Sequence, residues 1–520
     1  MRFVKVLLLA TACLAIVHRA IAQPAEEAER PMSALVYPGA DGRLVYVPDE
    51  EGNCVPNFSD CGYMGGGVRI PDVPVRATLE PAEDDDGGRI QRAIDRVAEL
   101  PADEDGFRGA VLLKRGTYQI AGTLRIAHSG IVLRGEGQGE DGTVLVAAGT
   151  GKRTLITIAG EDKRTEAPKT RRRIAQRYVP VGARTFRVAR TKGLEVGDAI
   201  IVRRPSTRKW IHYLGMDRIP PKRDGGRVVQ WRPGSKDLAF DRVITAIERK
   251  KITIDAPVCN AFQRKYGGGY LYRYDFPGRI SQVGVEYLRG VSEYKHETDE
   301  DHAWSFIGFR AVANAWVRQV TAEHFGYSAV GVSRRCKWIT IEDCECLDPI
   351  SKIAGSRRYS FALTGELTLV QRCYARHGRH DFVMHSVVPG PNVFLDCTAE
   401  KAHSDTGPHH RWATATLFDN VRVEGNAINV RNRGNSGTGH GWAGAQMVFW
   451  NCTADGITCQ KPPTAQNWAI GCSAQKQSGD GYWECSGQPV QPRSLYLAQL
   501  RDRLGPQAVA NISRPAMPPR

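Results

Sequence analysis

The ten residues His403-Ser404-Asp405-Thr406-Gly407-Pro408-His409-His410-Arg411-Trp412 hold three histidines, an acid, an arginine and an indole. Imidazoles titrate near neutrality and move protons, and an arginine grips a carboxylate through two parallel hydrogen bonds. Histidine and aspartate are also metal ligands. His409 and His410 are adjacent, however, and an extended strand turns neighbours to opposite sides, which disfavours a zinc site built from both. The competing, structural reading gives either ring a backbone carbonyl. Twenty-four residues upstream, His377, Arg379 and Asp381 match Lys401, His403 and Asp405, and Lys352 falls at the Asp381 position one repeat further back. Downstream, the run NRGNSGTGHGW sets His440 and Trp442 among glycines and asparagines, a setting that suits the apolar face and hydroxyls of a sugar ring. Alternatively Trp442 is tucked under a turn, and Trp412 shares that ambiguity.

Two reactions use such a set. Elimination from a uronic-acid chain needs a base for the proton beside the carboxylate and a cation to neutralise that carboxylate. His403 or Lys352 is then the base, Arg379 and Arg411 are the grip, and Asp381 with Asp405 seats a Ca2+ ion. Hydrolysis instead uses Asp381 and Asp405 as acid and base or nucleophile, and coils stacked about 4.8 Å apart allow either carboxyl separation. His377, His409, His410, Trp412, His440 and Trp442 are expected to line the substrate. The mixture of histidine, arginine and lysine favours elimination. A third reading is a binding or structural scaffold without catalysis, which a charged heap confined to a few coils disfavours.

Such side chains need rigid, repeating supports. Six segments stack: VRQVTAEHFG, IEDCECLDPI, VQRCYARHGR, FLDCTAEKAH, FWNCTADGIT and IGCSAQKQSG. They align on Val320, Cys344, Cys373, Cys397, Cys452 and Cys472, the first four spaced by 24, 29 and 24 residues. A small apolar residue recurring at one inward position at this period marks a parallel β-helix. The inward cysteines read as a core ladder. Upstream, Asp86 to Leu100 places Ile90, Ala93, Ile94 and Val97 on one helical face, with Asp86 as its cap, followed by short strands punctuated by glycine. Residues 151–270 break the pattern. They carry seven basic residues between Lys163 and Arg177 and a hairpin-like stretch at AIIVRRP, and read as a β-rich excursion.

The run IQRAIDRV…GAVLLKRGTYQI…LRI…GIVLRGEG resembles the cap and first coils of the pectate lyase superfamily, and GRHDFV…GPNVFLDC…HSDTGPHHRW with GHGWAGAQMVFWNC is similar to members of it. The resemblance covers 86–150 and, through the repeats, 280–485. It implies an all-β, right-handed parallel β-helix solenoid with an N-terminal capping helix. The superfamily contains polysaccharide lyases, glycoside hydrolases, transferases, epimerases and non-catalytic adhesins, so it leaves the chemistry open. Its Ca2+-dependent members imply Ca2+ as cofactor, with the acids at 299–301 as further oxygens.

The 520 residues are 42% hydrophobic and 24% charged, which permits a large core and excludes wholesale disorder. Arg2 and Lys5, the apolar stretch Val6 to Val17 and Ala20-Ile21-Ala22 read as an export signal over 1–22, with lipidation at Cys13 the weaker alternative. Cleavage lowers the net charge from +15 to +12. A basic exported chain points to an acidic polysaccharide partner and not to nucleic acid, with no membrane span and a monomeric state expected. Export permits disulfides, and Cys54/Cys61 and Cys472/Cys485 are the expected pairs. The remaining divisions are a leader over 23–85, first coils to 150, main coils over 271–490, and a capping helix at 494–504 before a loose tail from Asn511.

Overall fold

One left-handed residue before the inward anchor turns the corner of the main coils. In the computed structural model, which describes residues 30–513, Asp343, Arg372, Asp396, Asn420 and Asn451 have φ between 51° and 55°. Aspartate and asparagine adopt this conformation more readily than most residues. The next side chain, Cys344, Cys373, Cys397, Val421 or Cys452, turns inward and is buried. Each thiol then donates to carbonyls at the corner: Cys344 to Glu342 O (3.2 Å), Cys373 to Gln371 O (3.4 Å) and Cys397 to Leu395 O (3.4 Å). A cysteine therefore supplies small apolar volume and one weak donor where the chain bends.

Before the corner, Lys337–Glu342, Glu366–Gln371, Asn392–Leu395 and Thr416–Asp419 pair in parallel; after it, Glu345–Leu347, Tyr374–Arg376 and Thr398–Glu400 do the same. Tyr374 faces Thr398, so Cys373 and Cys397 are ladder neighbours. A further seven-stranded sheet runs from Leu124–Ile126 through Thr154–Ala159, Ser305–Arg310, Ser328–Val332, Phe361–Leu363 and Phe382–Met384 to Gly407–Pro408. These stacked ladders make an all-β solenoid, a parallel β-helix. The helix Gly87–Glu99 closes its N-terminal end by burying Ile90, Ala93, Ile94 and Val97. Asp86 makes no side-chain cap bond; its buried carboxylate accepts from Ala82 N and Arg89.

Coil structure continues through Thr154–Ala159, and the excursion leaves after it. Ala199–Arg204 pairs antiparallel with Leu238–Glu248 and Tyr270–Asp275 across a long connection holding the helix Arg208–Tyr213, in place of a tight hairpin. The basic run lies along this sheet, with Arg171 4.7 Å from the Tyr270 ring and Arg164 5.5 Å from that of Tyr274. The excursion docks on the solenoid through Trp210, edge-on to Trp412 at 4.8 Å, and through buried ion pairs Arg242–Glu366 (2.5 Å) and Lys337–Asp241 (2.7 Å).

At the far end Leu495–Leu504 packs on the coils, and a second helix, Pro506–Ile512, includes Asn511 and Ile512, so the expected loose tail does not begin there. Gln499 ties this end to the leader through Phe58 N and Pro56 O. The expected signal segment lies outside the described residues. All twelve described cysteines are free thiols, which corrects both expected disulfides: Cys472 points into the core at a coil corner and donates to Phe449 O (3.3 Å). Among the described residues no helix is long and apolar enough to cross a membrane.

Candidate functional site

The parallel register brings side chains of separate coils to one level. Val383 faces Gly407, which sets His385 level with His409, and Ala413 faces Gly444 on the next coil, from which His440 comes within 4.9 Å of the His409 and His410 rings. Phe361 faces Phe382, which sets Tyr359 against His380, with ring centres 5.0 Å apart. His409 lies 4.5 Å from His380, 5.0 Å from His410 and 4.9 Å from His440, and Tyr327 is 5.3 Å from Tyr359. Five histidines and two tyrosines thus share one face of the solenoid.

Charge around them is ordered by hydrogen bonds. The Asp405 carboxylate accepts from Asn429 Nδ2 (3.1 Å), Arg431 (3.3 Å) and Arg433 (3.5 Å). Burial opposes its ionisation, but Arg433 and its neighbours outweigh this and hold it below the usual carboxylate range. Arg433 also donates to His409 Nδ1 (3.4 Å), leaving the hydrogen on Nε2, which donates to Tyr359 Oη (3.2 Å). Ser356 N (3.3 Å) and Arg379 Nη1 (3.5 Å) reach the same oxygen, so three donors converge on it. His380 Nδ1 donates to Asp405 O (2.5 Å), and its buried Nε2 has no hydrogen-bond partner among the described residues.

Burial, reinforced by nearby cations, keeps these imidazoles neutral. His380 is pushed down to about 4. His385 is pushed down to about 4 by burial and Arg334, and His440 to about 4 by burial, Arg433 and Arg411. His410 falls to about 2 and His409 lower still. Burial raises the Tyr327 phenol, so it stays protonated and donates to His385 Nε2 at 3.1 Å. The arrangement is a bank of neutral bases and protonated tyrosines edged by guanidiniums, suited to proton transfer beside an anion.

The residues expected from sequence divide into separate groups. His409, His410 and His440 join the bank, and Arg379 reaches it through Tyr359. His403 does not: it is exposed at the coil corner, stacked 6.0 Å from His377, whose Nδ1 meets Asp348 at 2.8 Å. Asp405 turns to its arginines and His380, not to His403. Asp381 is fully buried beneath Ser360 Oγ (2.6 Å), and burial pushes it up to about 7, so the expected exposed pair with Asp405 is not formed. Lys352 is exposed on the thirteen-residue connection 348–360, where the next coils have only five and six residues, so a fixed count misplaced it.

Trp412 has no exposed surface and donates to Asn260 Oδ1 (2.8 Å), which makes it a docking residue of the excursion. Trp442 packs half-buried against the same apolar cluster. Arg411 ties down the following coil's loop through Gly439 O (3.3 Å). The expected Ca2+ oxygens are engaged elsewhere: Asp299 accepts from Lys295 N and Asp301 N, and Glu300 pairs with Arg357. Among the described residues no three His, Cys, Asp or Glu side chains are arranged to hold a metal ion. Sequence reasoning missed His380, His385, Tyr327, Tyr359 and Arg433. His385 was within reach, standing 24 residues before His409. The tyrosines were not, because their coils differ in length.

No protein-family model and no curated protein matches the chain. Solved structures do. The tailspike protein gp49 from Pseudomonas phage LKA1 is 14% identical, with 76% of this chain and 70% of that one covered and a TM-score of 0.40. An alginate lyase from Paenibacillus sp. str. FPU-7 is 9% identical over 80% of this chain and 99% of its own, with a TM-score of 0.39. The catalytic domain of a GH87 alpha-1,3-glucanase is 9% identical over 81% and 67%, also at 0.39.

Proposed function

We propose that the protein is an exported polysaccharide lyase that cleaves a uronic-acid-containing chain by β-elimination. One observation carries this reading: neutral imidazoles and protonated tyrosines sit beside guanidiniums, while both nearby carboxylates are withdrawn, Asp381 into the wall and Asp405 among arginines. Hydrolysis by a carboxylate pair needs two carboxyl groups facing the sugar. Elimination needs a proton acceptor, a proton donor and a cation.

Tyr327 and His385 supply the first two. The hydroxyl takes the proton beside the uronate carboxylate as its own proton passes to His385 Nε2, 3.1 Å away, and the pair returns a proton to the departing glycosidic oxygen. Arg379 neutralises the carboxylate. Tyr359, His409 and Arg433 are positioning residues that hold Arg379 and the imidazoles in register. The export segment read in residues 1–22 would deliver the enzyme to such a substrate. Incubating the purified protein with a panel of uronate-containing polysaccharides tests the proposal. Ultraviolet absorbance from an unsaturated uronate end is expected; cleavage of neutral glycans alone would overturn it.

A further inference from the structure

Between the excursion and the solenoid lies a pocket of about 240 Å³ lined by Arg164, Arg203, Ser235, Asp237, Arg334 and Glu366, among others. Its two acids are already committed. Asp237 accepts from Arg203 and from Ser206 N (2.7 Å), and Glu366 is paired with Arg242. Its cations are not all matched. Among the described residues Arg334 has no carboxylate partner and donates to Ser386 O (2.9 Å), while Arg164 rests on the Tyr274 ring. Lys236, next to the lining residue Ser235, donates to the Ser235 oxygens, both at 3.1 Å, and lies 5.4 Å over the Trp231 ring, with no carboxylate partner among the described residues. Burial first, then Arg411 and Arg334, push its ammonium down to about 8. With Asp237 and Glu366 committed, the exposed Arg334 and the half-buried Arg164 and Lys236 have no carboxylate partner among the described residues and can meet an anion that enters.

We propose that this pocket, through Arg334, Lys236 and Arg164, is an anion subsite that takes one acidic substituent, a carboxylate or a sulfate ester, of a second sugar along the bound chain. The volume suits that role, being smaller than the roughly 300–1,000 Å³ of pockets for drug-sized ligands. The position suits it too. Arg334 donates to the carbonyl of Ser386 (2.9 Å), the residue after His385, so the pocket adjoins the proton-transfer pair. The inference rests on the lyase reading for the identity of the chain, but its test does not use turnover.

Binding of sodium sulfate and of glucuronate to the full-length mature protein would be measured by calorimetry, with sodium chloride at equal ionic strength and glucose as controls. Saturable binding of sulfate, glucuronate or both, with no heat from glucose, is expected, and the stronger ligand identifies the substituent. The double variant Arg334→Gln with Lys236→Gln should bind at least about 10-fold more weakly, as expected for lost charge-assisted hydrogen bonds. Arg334→Lys, which keeps the charge, should retain most binding and guards against misfolding as the cause. No saturable binding of either anion, or binding unchanged in the double variant, would overturn the subsite. Saturable binding in a protein that cleaves no uronate polysaccharide would overturn the lyase reading alone.

Discussion

Replacing His385 with glutamine removes the proton acceptor but leaves a side chain of similar reach, able to accept from the Tyr327 hydroxyl. The wall should persist and turnover should fall by ~10²–10⁴-fold, the usual cost of losing a positioned general base. The pH profile gives a sharper magnitude. Burial and Arg334 put the His385 imidazole at about 4, against an ordinary histidine near 6.5. Around pH 5 a base of pKa ~4 is about nine-tenths neutral, whereas an ordinary histidine is about 3% neutral. Activity should therefore be lost as pH falls, with the acid limb of kcat/KM near 4. A uronate carboxylate ~5.5 Å away in a medium of effective dielectric ~20 adds about 3 kcal/mol to the protonated form, which lifts the limb of kcat by about two pH units. Initial rates across pH, at low and saturating substrate, read both limbs. A kcat/KM limb near 6.5, or His385→Gln turning over within a few-fold of wild type, would refute the assignment and return the base to an exposed histidine such as His403.

The same buried imidazoles make the fold acid-labile. His380 and His385 have folded pKa values below the unfolded one, so their contribution is complete above about 6.5 and lost as pH falls towards 4, by up to about 3 kcal/mol each; urea midpoints that stay constant over that window would contradict this. Trp412→Ala should cost about 3–5 kcal/mol in denaturant unfolding, because the indole is fully buried against Trp210 and bonded to Asn260; full stability with lost sugar binding would restore the sugar-platform reading. Thiol titration of the native protein should label at most the half-buried Cys54 and Cys485, and unfolding without reductant should release the ten others; fewer than twelve thiols would show a disulfide. Activity should survive exhaustive EDTA treatment, since Arg379 supplies the neutralising charge; loss restored by Ca2+ would place a metal in the mechanism.

The solenoid was legible because a small apolar residue recurs at one inward corner position, as at Cys344, Cys373 and Cys397; the left-handed residue before each, Asp343, Arg372 and Asp396, was not read from the sequence. That recurrence places the corner and the short strands flanking it. It does not extend to the third sheet, because the connections differ in length. Val330 pairs 31 residues ahead with Phe361, and Phe361 pairs 21 ahead with Phe382, so a constant count set Lys352 at the level where Tyr359 stands. Only where spacing stayed at 24, between 383 and 407, did counting bring Asp381 opposite Asp405. Even there alternation could not say that Asp381 faces inward. The docking of the excursion was not legible either. It brings Trp210 and Asn260 against Trp412 from 202 and 152 residues away, and no local signal marks an indole as a contact for so distant a partner.

In the proposed mechanism the bond is cleaved by elimination at the Tyr327–His385 pair. Mass spectrometry of products formed in ¹⁸O-labelled water tests it most directly. Elimination gives fragments whose new non-reducing ends are lighter by one water and whose new reducing ends carry no label at the time of cleavage, with both lost in His385→Gln. Fragments of full mass that incorporate the label would show hydrolysis and contradict it.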